Sequence, residues 1–118
     1  MSWFNEDVGP ADVLRAAARL ACIDGWDPGA GIQQAKEPSS TGRFYTPSTT
    51  LGTVIRAYRL LRSSWMNMIR ACEALQRAVG SKDDSGVRAW ERAPGRTGEQ
   101  IERMLLRAAH RCEQRVAA

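Results

Sequence analysis

A chain of 118 residues with 43% hydrophobic and 25% charged side chains is long enough for one domain that folds on a buried core without disulfides or metal. No apolar run approaches the roughly 18 to 20 residues that span a bilayer. The acidic start Met-Ser-Trp-Phe-Asn-Glu-Asp lacks the basic and apolar regions of a secretory signal, so the expected location is the cytoplasm, away from membranes.

The net charge of +4 is unevenly spread: residues 1–37 carry six acids and three bases, residues 38–118 seven acids and fourteen bases, almost all of them arginine. That preference for arginine over lysine can reflect a GC-rich genome as easily as a binding surface. Cys22, Cys72 and Cys112 cannot all pair within one chain, and none sits in a Cys-x-x-Cys. Each falls on or beside an apolar helical stripe, where a free thiol packs as a small hydrophobe.

In chain order, residues 1–8 read as a tail whose Trp3 and Phe4 need a docking place. A first helix is expected over 10–24, with Pro10 in its first turn, Asp12 near the positive end of the dipole and Gly25 as its stop. Val13, Leu14, Ala17, Leu20 and Ala21 form its buried face. Residues 27–47 lose all periodicity and are punctuated by Pro28, Gly29, Gly31, Pro38, Ser39, Ser40, Gly42 and Pro47. An irregular loop pinned by Phe44 and Tyr45 is the expectation; the alternative is a hairpin pairing 32–34 with 43–45.

A second helix starts at Ser48 or Thr49 and carries Leu51, Val54, Ile55, Tyr58 and Leu61; a third carries Trp65, Met68, Ile69, Cys72, Leu75 and Val79 and stops at Gly80. Ser63-Ser64 is taken as the break between them, since one helix over 49–79 would be unusually long in so small a chain. Lys82 to Gly86 is a polar turn, with Asp83-Asp84 solvated. A short helix over 85–92 then turns Val87 and Trp90 inward. Pro94-Gly95 makes a turn, and Thr97 with Gln100 forms a capping box for a last helix running to about Arg115. Its stripe is Ile101, Met104, Leu105, Ala108 and Cys112. The sum is an all-α, compact bundle of four to five helices with one long irregular loop, in a single domain over 1–118 and without internal repeats.

The stretch Ala89-Trp90-Glu91-Arg92-Ala93-Pro94-Gly95-Arg96-Thr97, with the Arg- and Ala-rich helix behind it, resembles a small helical family of actinobacteria and their phages whose function is uncharacterised. The family's Trp-Asn-Asp-x-Pro-Gly-Arg-Thr pattern is matched except that Glu91-Arg92 replaces Asn-Asp. Its early Leu-Arg-x-Ala-Ala helix ending in Gly-Trp is echoed by Leu14-Arg15-Ala16-Ala17 and Gly25-Trp26. Gly42-Arg43 also fits, while Tyr45 stands near the place of an expected Cys. The resemblance implies a helical fold and a bacterial or phage setting, and no activity.

Reactive constellations are not legible. His110 is the lone histidine, and two residues separate it from Cys112, which puts the two side chains on different helix faces. The cysteines and carboxylates lack metal-ligand spacing, and Gly29-Ala30-Gly31 lacks the remainder of a phosphate-binding loop. The expectation is a protein without enzymatic activity, metal or cofactor; ligand binding by the 27–47 loop is the least favoured reading. Arg103, Arg107, Arg111 and Arg115 step by four along the last helix, and Arg56, Arg59 and Arg62 make a second row. Either row is a solvated face or a surface for an acidic protein or nucleic acid. Arg96 either bonds carbonyls at a neighbouring helix end or holds an anion. Trp26, Trp65 and Trp90 are expected as core anchors, with Pro94, Gly95 and Thr97 structural. The functional expectation is an interaction module binding another protein or itself, with nucleic-acid binding through the arginine ladder as the alternative.

Overall fold

The computed structural model describes the backbone of residues 7–29 and 48–117 and the side chains of 7–23, 25–29 and 48–114. The all-α expectation holds. The helices are α1 (Pro10–Asp24), α2 (Thr50–Leu60), α3 (Trp65–Val79), α4 (Asp84–Glu91) and α5 (Gly98–Ala117). Among the described residues the only extended pairing is an isolated parallel bridge between Trp26 and Ser48, in which the Asp27 amide donates to the Ser48 carbonyl at 2.9 Å. The expected loop therefore has its two ends tied together. Its interior, residues 30–47, with the hairpin alternative and Phe44 and Tyr45, lies outside the described residues, as do residues 1–6 with Trp3 and Phe4.

Local chemistry sets the helix ends. The Asp12 carboxylate accepts from the Gly9 amide at 2.9 Å before Pro10 opens α1. Thr49 caps α2 by accepting from the Gly52 amide at 3.0 Å, and Ser64 caps α3 by accepting from the Asn67 amide at 3.3 Å. The break at Ser63-Ser64 is thus real. It is closed from the other side by a Schellman turn, in which the Ser63 amide donates to the Tyr58 carbonyl at 3.1 Å and Arg62 takes φ +54°. A side chain in that left-handed region costs about 1 kcal/mol relative to glycine.

Asp83 is more than a solvated turn residue: it caps α4 through the Gly86 amide at 3.0 Å, which starts the helix one residue earlier than expected. Pro94 and Gly95 occupy the centre of a turn closed by the Arg96 amide and the Ala93 carbonyl at 3.1 Å, with Gly95 at φ +80°. The capping box of α5 forms in both directions. The Gln100 amide donates to Thr97 Oγ1 at 3.3 Å, and the Thr97 amide to Gln100 Oε1 at 3.0 Å.

The core lies where α1 packs on α5 and α2, and α3 on α5. Val13, Leu14, Ala17, Val54, Ala57, Ala71, Leu75, Val87, Ile101, Leu105 and Ala108 are wholly buried. Alanines at so many of these contacts let helix backbones approach closely, and this displaces larger side chains to the edges. Hence α3 buries Met68, Ala71, Ala74 and Leu75, and Trp65, expected as a core anchor, stands 60% exposed. The last turn of α1 also outruns the core, so Cys22 is exposed where a packed thiol was expected. Cys72 and Cys112 are half-buried against the core as expected.

Candidate functional site

Polar groups are buried where the loop ends meet α2 and α4. Ser48, Thr50, Thr53, Arg56 and Glu91 are all at most 2% exposed. Glu91, the last residue of α4, presents Oε1 to three donors: Trp26 Nε1 at 2.7 Å, the Thr50 amide at 2.9 Å and Thr50 Oγ1 at 3.0 Å. The Thr50 amide belongs to the first turn of α2, so an anion from another helix satisfies an orphan donor at the positive end of the dipole. Glu91 Oε2 is buried and meets no hydrogen-bond donor among the described residues. Arg56 Nη2 donates to Ser48 Oγ at 2.5 Å, and Thr53 Oγ1 to the Thr50 carbonyl at 2.6 Å. The cluster's first effect is structural, because it fixes both ends of the loop against α2 and α4. Arg56, expected on a surface row with Arg59, is thereby turned inward.

Arg96 resolves to its carbonyl-binding alternative. Its Nε donates to the Trp90 carbonyl at 2.9 Å, and its guanidinium lies 4.2 Å over the Trp90 ring, joining the end of α4 to the start of α5. Trp26 and Trp90 pack against the core as anchors. On α5, Arg103, Arg107 and Arg111 are exposed. Arg103 reaches Glu99 at 4.0 Å, and Arg111 donates to the Arg77 carbonyl at 3.3 Å. The Arg115 side chain lies outside the described residues. His110 is exposed and Cys112 is half-buried, on different faces of the helix. Burial, then the Asp84 and Glu73 carboxylates, push the Cys72 thiol from 9.0 up to about 11, which keeps it protonated and unreactive at neutral pH.

A second kind of surface surrounds the corner between α2 and α3. Leu60 is 50%, Trp65 60% and Met66 51% exposed, and the Trp65 ring meets Tyr58 edge-on with centroids 6.3 Å apart. Arg59, Arg62 and Arg70, in the same stretch of chain, are also exposed.

One family model, described as a family of unknown function (DUF6197), matches residues 5–111. The chain belongs to that family. No curated protein and no solved structure matches it. The match takes in α1 to α4 and α5 as far as Arg111, so the Glu91 cluster and the α2–α3 corner both lie within the DUF6197 span. No helix of this DUF6197 member is long and apolar enough to cross a membrane among the described residues.

Sequence reasoning missed Glu91 and the exposure of Trp65. A usable signal existed for the first. Glu91 stands one turn after the buried Val87, on the inward face of α4. For Trp65 the periodicity points the wrong way, because alanines take the inner face of α3.

Proposed function

We propose that this DUF6197 member is a non-catalytic helical interaction module that presents its α2–α3 corner to another protein or to a second copy of itself. The observation that carries this reading is the exposure of Leu60, Trp65 and Met66, three large apolar side chains half or more in water where α2 gives way to α3. Leaving Leu60 and Met66 half exposed forfeits about half of the roughly 1.5–3 kcal/mol that full burial of such a side chain is worth, and tryptophan is among the residue types that most often anchor an interface. The resemblance of residues 89–109 to the actinobacterial and phage family supports a bacterial cytoplasm as the setting, the host's if the gene is a phage's.

The test places a photo-crosslinking amino acid at Met66 in the producing cell and, as control, at the exposed Lys82. An adduct with a protein or with a second copy at position 66, lost on Trp65→Ala, is the expected result. A strictly monomeric chain giving no more adduct at 66 than at 82 contradicts the reading. Exposed Arg103, Arg107 and Arg111 support nucleic-acid binding as the second reading. It predicts affinity that falls steeply and linearly on a log–log plot against salt and is weakened by Arg107→Glu. An affinity that Arg107→Glu leaves untouched ends it.

A further inference from the structure

From Ser48 to Cys72 the chain holds no acid at all, and its arginines outside the buried cluster are Arg59, Arg62 and Arg70. All three are exposed and make no ion pair with any described residue, whereas Arg15, Arg77 and Arg103 each lie against a carboxylate. Met66 and Arg70 stand one turn apart on the same face of α3, so an apolar and a cationic group face the same way. Arg62 keeps its guanidinium at φ +54°, a place where glycine would relieve strain. Backbone strain retained at an exposed, charged position points to use of that side chain.

We infer that the α2–α3 corner receives an acidic amphipathic segment of a protein partner. Its apolar side chains lie on Leu60, Trp65 and Met66, and its carboxylates meet Arg59, Arg62 and Arg70. This rests on the interaction reading above and adds the chemistry of the partner. Charge sign selects an acidic segment, because a basic one would meet three like charges, none of them engaged in an ion pair with a described residue. The apolar centre selects a peptide over a phosphate backbone, which has nothing to place on Leu60 and Met66. Both α2 and α3 spend their main apolar faces on the core, so only a corner remains, too narrow for the continuous apolar face with which a helix lies in a lipid interface.

The test uses the full chain and a fluorescent synthetic peptide long enough to form a helix, about 15 residues, with leucine and tryptophan on one face and glutamate on the other. A counterpart carries lysine for every glutamate, and phosphatidylglycerol vesicles form a third arm. Anisotropy titration is expected to show the glutamate peptide binding at least about tenfold more tightly than the lysine one, with the difference shrinking as salt rises. Trp65→Ala is expected to weaken the glutamate peptide by about tenfold or more, as removal of an interface anchor does. Arg62→Gly is expected to raise Tm and yet weaken the glutamate peptide severalfold, which separates binding from folding. Equal binding of the two peptides, or no binding of either, overturns the acidic partner. An adduct at Met66 in the crosslinking test would then leave the broader reading standing. Vesicle binding lost on Trp65→Ala, with no peptide binding and no protein adduct at Met66, overturns both.

Discussion

Replacing Glu91 by alanine removes one carboxylate oxygen on which Trp26 Nε1, the Thr50 amide and Thr50 Oγ1 all converge. Hydrogen bonds to a charged group are each worth about 1.5–3 kcal/mol, and a buried donor left without a partner costs about 1–3 kcal/mol. Against this stands the relief of a desolvated carboxylate, several kcal/mol in its own right, so the net loss expected is about 2–4 kcal/mol. For a chain of 118 residues with a total stability of about 6–18 kcal/mol, that is a large fraction. Glu91→Gln keeps an acceptor at the Oε1 position and places an amide nitrogen where Oε2 meets no described donor, so about 1–2 kcal/mol is expected. Urea unfolding followed by far-ultraviolet circular dichroism measures both. Combining Glu91→Gln with Trp26→Phe in a double-mutant cycle should show coupling of about 1 kcal/mol. An alanine variant within about 0.5 kcal/mol of the parent, the range of an ordinary surface change, would refute the reasoning.

Thr97→Ala removes the Oγ1 acceptor of the α5 capping box and is expected to cost about 0.5–2 kcal/mol in the same urea assay, with Thr97→Ser restoring most of it. Arg62→Gly is expected to stabilise by about 1 kcal/mol through release of the left-handed strain, read as a shifted urea midpoint at constant slope. Thiol labelling at pH 8 should modify exposed Cys22 rapidly and Cys72 about a hundredfold more slowly in the folded chain, since its thiol is pushed from 9.0 up to about 11. The same shift links to stability. Between pH 9.0 and about 11 the unfolded thiol gives up its proton while the folded one holds it. Folding stability should therefore fall through that window, and Cys72→Ala should flatten the fall.

Helix ends were the most legible part of the sequence because caps are local. Thr97 and Gln100 satisfy each other across one turn, and Ser64 needs only the Asn67 amide. Which face of a helix is buried depends on partners far along the chain, which local hydrophobic periodicity does not encode. On α3 the inner face belongs to Ala71 and Ala74, small residues that hydrophobic periodicity underweights, and this turns Trp65 outward. Helix α2 is contacted by α1, α3 and α4, so even Thr50, Thr53 and Arg56 are enclosed on it. Glu91 pairs with Trp26, 65 residues away, and Thr50, 41 away, a juxtaposition that no local pattern encodes. The exposed corner follows from the same long-range choice of faces.

The indole N–H signals of the four tryptophans offer the most direct measurement, because each reports one environment in the intact chain. Titrating the glutamate peptide into 15N-labelled protein should move the Trp65 indole signal and leave that of Trp26, held on Glu91, in place. A Trp65 signal that stays fixed at saturating peptide would contradict the account.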